Sequence, residues 1–311
     1  MKRFLLPAIL MILSVGAVKA QTPNDGLMMP AKTYCTGFLY THDQWSKYWE
    51  GTLKRDNLNI GKLTTQSVMY YGVYGINKKV NLMVMAPYVW TKASMGTLHP
   101  MEGVQDLTLA AKYNFLKVEA GPGKFTSFVT GSFATPLSNY SVDFFPLSIG
   151  MGTTNLAARY TMNYAMKNGF YANASAGYTW RSNIKLDRSS YYTNGEYYNT
   201  NEVQMPNVFD FIVDLGYHTG PLQAEVFYSQ MNTLGGGDIR RQDMPFVSNK
   251  MNASKVGGLI MYYLPWPKYL AVRLTGNYVV AGRNVGQTTS LTGGLMYTFF
   301  FSKNKDLKTG S

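Results

Sequence analysis

From about residue 33 onward, polar and apolar positions alternate along the chain. In "GVQDLTLAAKYNF", residues 103 to 115, Asp106, Thr108, Ala110, Lys112 and Asn114 fall on one parity. Leu107, Leu109, Ala111, Tyr113 and Phe115 fall on the other. Successive side chains of a strand point to opposite faces, so the segment reads as a strand with one wet and one dry side. The pattern recurs at Phe209, Phe211, Val213, Leu215 and Tyr217 against Asp210, Ile212, Asp214, Gly216 and His218. It recurs again at Leu156, Ala158, Tyr160 and Met162 against Asn155, Ala157, Arg159 and Thr161. Twelve such segments can be counted between residues 33 and 302. Two of them, 66–76 and 255–264, are apolar on both parities, which requires either apolar patches on the wet side or something packed against it.

The links between segments alternate in length. Short ones ("GINKK", "LKVEAGPG", "AMKNG", "HTGP", "LPWPK") follow the even-numbered segments, and mostly long ones such as "TPLSNYSVDFFPLSIGMG" follow the odd-numbered ones. Outer-membrane barrels combine an even strand number, short periplasmic turns and longer extracellular loops. The expected fold is therefore all-β: a transmembrane antiparallel up-and-down β-barrel of about 12 strands. Its dry parity would face lipid, its wet parity the lumen, and both termini the periplasm. A soluble sandwich would instead bury the dry parity in protein. Aromatics cap the dry parity at Tyr88 and Trp90, at Tyr178 and Trp180, and from Tyr297 to Phe301, as the girdles at a bilayer's two interfaces require.

The N-terminus adds a compartment. Lys2 and Arg3 precede an apolar stretch from Phe4 to Val18, with Ala20 before Gln21, which reads as a secretory signal over 1–20. The stretch is short for a spanning helix and contains Pro7. The expected organisation is signal peptide 1–20, N-terminal periplasmic segment 21–32, barrel 33–302 and basic tail 303–311. Without Lys2, Arg3 and Lys19 the formal excess is 9 positive charges, but these are scattered outside the tail, so nucleic-acid binding is not expected. Cys35 is the only cysteine, which excludes an internal disulfide or a cysteine metal cage and suits a small buried residue.

On the wet parity stand four acids, Asp106, Asp210, Asp214 and Glu225, and four bases, Lys112, Arg159, Arg181 and Arg273. Charges on the lipid face are disfavoured, so all eight are candidate lumen residues. They would serve either as a ladder of ion pairs filling a narrow lumen or as a constriction that orients solute. Met83, Met85, Phe128, Ile212, Phe227 and Met296 share that parity and suit a path for hydrophobic solutes or a plugged barrel. Trp45, Tyr48, Trp49, Tyr191, Tyr192, Tyr197 and Tyr198 crowd the long links, either as an entrance that stacks on rings or as residues resting on the outer leaflet. No catalytic residue, metal site or cofactor is expected. The chain has three histidines, lacks the serine-hydrolase elbow and the zinc-protease motif, and offers only His218 beside Asp214 as a candidate pair.

The run "YGINKKVNLMVMAPYVW" (74–90) followed by "GVQDLTLAAKYNF" (103–115) resembles the outer-membrane family named for the MetA-pathway of phenol degradation. Tyr74, Gly75, Pro87, Tyr88, Gly103, Asp106, Leu107, Leu109, Lys112 and Tyr113 carry the likeness. The resemblance implies a transporter-like barrel for small hydrophobic or aromatic compounds. The resulting expectation is a monomeric, passive outer-membrane channel of a Gram-negative bacterium, with membrane lipid and a small-molecule solute as its partners. The alternative is a structural or adhesive barrel without transport.

Overall fold

A computed structural model describes residues 22–240 and 245–301. Twelve strands form one sheet: β1 (Thr33–Trp45), β2 (Leu63–Gly75), β3 (Val80–Ala93), β4 (Asp106–Ala120), β5 (Gly123–Pro136), β6 (Asn155–Met166), β7 (Phe170–Arg181), β8 (Val208–Thr219), β9 (Leu222–Thr233), β10 (Asn252–Tyr263), β11 (Leu270–Arg283) and β12 (Thr289–Phe300). Each pairs antiparallel with its neighbours in sequence. β1 pairs with both β2 and β12, so the sheet closes on itself as an up-and-down barrel. Closure removes the unpaired sheet edges that a bilayer would not tolerate. The signal segment expected at 1–20 and the basic tail expected at 303–311 lie outside the described residues.

The two parities separate as barrel geometry demands. Leu215, Val226 and Leu291 point out and are 65%, 64% and 62% exposed, part of a continuous apolar belt around the wall. Such a belt is untenable in water and is what a hydrocarbon surround requires. On the inner parity Asn81, Lys112 and Thr161 are fully buried.

The strands depart from simple alternation in three places. Pro87 on β3 has no N–H to give its neighbour, and the fourth strand breaks opposite it. Met101–Val104 pairs with the upper part of β3 as a separate short strand, Gln105 N donates to Pro87 O at 2.9 Å, and β4 begins at Asp106. Bulges follow at Asn114/Leu116 in β4 and at Val280 in β11, opposite Ser254/Lys255. A bulge puts two residues against one and shifts parity beyond it, so Phe115 and Leu116 both end exposed. Lys117 then lies opposite Thr126, on the inner face.

Turns of two to six residues close one end of the barrel, and most of the long links gather at the other. These links build small structures of their own, including the hairpins Lys47–Glu50 with Leu53–Asp56 and Tyr191–Thr193 with Glu196–Tyr198. Three of them share an apolar core that includes Val142, Ile184, Leu186, Val203, Met205 and Phe246. β1 runs on to Trp45, so His42 belongs to the wall.

Candidate functional site

The inner wall has two halves. On β6–β9 it is polar and cross-linked through glycines. Arg159, Gly177 and Asp210 lie in one row across three strands, and Arg159 passes over Gly177 to pair with Asp210. A Cβ on Gly177 would sit 2.8 Å from Arg159 Nη2, so the crossing needs a residue without a side chain. The next row but two repeats the device. Tyr171 crosses Gly216, where a Cβ would lie 2.2 Å from its ring, and donates to Glu225 at 2.8 Å. Between these rows Asn163 donates to Asn173 at 2.6 Å and Asn173 to Asp214 at 2.7 Å. Asp214, suggested by sequence as a partner of His218, thus accepts from Asn173.

The other half, on β1–β3 and β10–β12, is apolar. Cys35, Tyr71, Val73, Met83, Leu259, Met261, Tyr263, Ala271 and Met296 pack there around Met29, which precedes the first strand. These residues explain the two strands that read as apolar on both parities: something does pack inside. Residues 22–32 fold back into the barrel from its turn end. Burial of Met29 contributes about 1.5–3 kcal/mol to seating them.

Asp25 fixes the polar end of this segment. Its carboxylate accepts from Leu27 N at 3.0 Å and from Lys112 Nζ at 2.9 Å. Lys112 also donates to the carbonyls of Thr22, at 3.3 Å, and Asp25, and lies 4.9 Å from the centre of the Phe128 ring. Its charge is wholly buried, so removing Asp25 alone would leave it uncompensated at a cost of about 3–5 kcal/mol. Gly26 runs so close to the wall that a Cβ would lie 2.4 Å from both Asn163 Cβ and Asn173 Oδ1. Arg273, Glu225 and Gln223 line a small cavity together with Thr22 and Asp25.

Of the eight charged candidates, the structure therefore brings Lys112, Glu225 and Arg273 against the N-terminal segment. It pairs Arg159 with Asp210, gives Asp214 to Asn173, and leaves Arg181 half-buried near the loop end of β7. Asp106 accepts from Tyr140 of the loop between β5 and β6, at 2.7 Å. Burial, reinforced by the Asp106 carboxylate, pushes the Tyr140 phenol well above its ordinary range, so it stays a donor. Sequence reasoning missed Asp25, because no strand pattern covers it, and missed Lys117, because a bulge sets its face.

The loop aromatics divide as well. Trp49 is buried against Ala253 and Val279, and Tyr191 stacks between Tyr198 and Phe246 at 5.0 and 5.1 Å, whereas Tyr192 and Tyr197 are exposed. Asn284 ties two loops to its own, accepting from Gly51 N at 2.7 Å and Ile239 N at 3.1 Å and donating to Asp238 Oδ1 at 2.7 Å. Asp238 also accepts from Arg283 at 2.6 and 2.8 Å. Those bonds hold its carboxyl below the usual carboxylate range.

A closed, lipid-facing barrel whose interior holds a peptide segment defines a transmembrane β-barrel with a segment seated in its lumen. Residues 54–292 match the family described as "Putative MetA-pathway of phenol degradation", and the chain belongs to that family. No curated protein matches it in sequence. Among solved structures it is similar to the COG4313 outer membrane channel from Pseudomonas putida F1, at 13% identity and a TM-score of 0.71, over 91% of this chain and all of that one. The NanC porin aligns over 83% of this chain and 98% of its own, at 9% identity and a TM-score of 0.44. OprD from Pseudomonas aeruginosa aligns over 91% and 97%, at 7% identity and a TM-score of 0.39.

Proposed function

We propose that this protein is a passive outer-membrane channel for small hydrophobic or aromatic molecules. In this reading it acts as a monomer, with its turns and both termini in the periplasm and its long loops outside. One observation carries the reading: residues 22–32, a separate segment, sit in the lumen at its turn end, packed against the inner side chains of the wall. A barrel wide enough for a peptide is wide enough for a small solute once the peptide shifts. The mixed lining, apolar on β10–β12 and polar on β6–β9, suits a partly hydrophobic cargo.

A barrel lacking residues 22–32, with the signal retained, should admit small solutes in liposome-swelling assays faster than the full chain. Asp25→Ala should move in the same direction, since a pairing loss of about 3–5 kcal/mol unseats the segment. Equal and negligible permeability of all three proteins would reject the channel. The complete burial of Lys112 in the seated state favours the second reading, a structural or adhesive barrel, and that outcome would support it.

A further inference from the structure

The turn end holds a second feature, beside the segment. A cavity of about 890 Å³ opens there between residues 26–28 and the wall from β4 to β8. That volume falls within the roughly 300–1,000 Å³ of ordinary small-molecule sites. Its apolar side is formed by Leu27, Phe128 and Ala165, and Asn163 lies toward its polar side. Lys117, Lys124 and Lys167 stand around it together with His218, and Glu119 is the one acid in the lining.

Charge is unbalanced within this lining. Glu119 pairs with Lys124 at 3.0 Å, and neither Lys117 nor Lys167 makes an ion pair with an acid among the described residues. Lys117 contributes only because the β4 bulge turns it inward. Lys32, Lys78, Lys79 and Lys268, at the same end of the barrel, add to the positive potential. A cleft lined by one sign of charge over low-dielectric walls concentrates counter-ions.

We infer that this vestibule binds an amphiphilic monoanion, a carboxylate on an aromatic or short aliphatic body. The body lies against Leu27, Phe128 and Ala165 while the carboxylate faces Lys117 and Lys167. This deepens the channel reading, on which it rests, by naming the class of cargo held beside the segment. A phospholipid headgroup shares the same anionic chemistry, and the test separates the two sources.

The probes are 4-phenylbutyrate and its neutral counterpart 4-phenylbutanol, titrated calorimetrically into the full-length protein in phosphatidylcholine nanodiscs. The acid should bind about tenfold more tightly than the alcohol, and the difference should shrink in about 0.5 M salt. Combined Lys117→Gln, Lys124→Gln and Lys167→Gln should erase the preference, and the three corresponding arginine substitutions should keep it. Equal binding of acid and alcohol, or a preference that survives the glutamines, would overturn the inference. So would lysine-dependent retention of phosphatidylglycerol in native mass spectra with no binding of the acid. Liposome swelling with a neutral solute is scored separately, so loss of the channel reading and loss of this site give different results.

Discussion

Arg159 reaches Asp210 only because the residue between them has no side chain. Gly177→Val should force the guanidinium aside and leave both charges poorly paired, lowering stability by about 1–3 kcal/mol. Gly131→Ala is the matched control, since nothing lies within 4 Å of a Cβ there, and it should be nearly neutral. Urea unfolding in micelles, followed by tryptophan fluorescence, checks both; equal midpoints for the two variants would remove the crossing from the account. At this scale the alternation indicates which way a side chain points, as at Asp106 and Asp210. It does not indicate what the side chain meets. The partner of Lys112 lies in "QTPNDGLMMP", a stretch without strand periodicity, and the partner of Asp106 is a loop tyrosine.

Elements follow their local sequence until a backbone irregularity intervenes. Strand number and the division into short and long links are legible, because Gly, Pro and Asn punctuate the chain between alternating runs. The bulges are not, since nothing in "YNFLKVE" marks which residue is the extra one, and the inward turn of Lys117 is lost with it. The long links also read as plain loops, although three of them share a core and Asn284 bolts two others to them. That bolt has a pH signature. The Asp238 carboxyl is held below its ordinary 3.8, so the contact contributes fully above that value and is lost as pH falls through the lower folded value. Because both partners are more than a third exposed, the contribution is about 0.5 kcal/mol after solvent screening. Asp238→Asn should therefore lower the thermal midpoint slightly and uniformly from pH 8 to 5, with the gap from wild type closing below about pH 3.8. A gap that closes near neutrality would assign the effect to another group.

For the whole molecule, the dry parity faces either a protein core or lipid, and its exposure on the outside of a wall closed by β1 on β12 decides for lipid. Leu215→Arg, at an exposed outward position, should then cost about 2–4 kcal/mol in a bilayer if it lies near the midplane. Folding into vesicles measures this, and an unchanged free energy would mean that Leu215 does not face hydrocarbon. The 12-strand architecture was legible because two independent periodicities, along strands and between links, agree. The seated segment was legible only as an excess of apolar residues on β2 and β10.

The glycine crossings have a further consequence, for assembly. Slipping one strand by a single residue would turn lipid-facing side chains inward, and the hydrophobic effect forbids it. Slipping it by two preserves every face, so neither lipid nor lumen would detect the error. Gly177 under Arg159 and Gly216 under Tyr171 would detect it, because a two-residue shift slides a Cβ beneath a side chain that needs bare backbone. The glycines thus act as alignment marks, admitting one partner strand at one offset while the barrel closes.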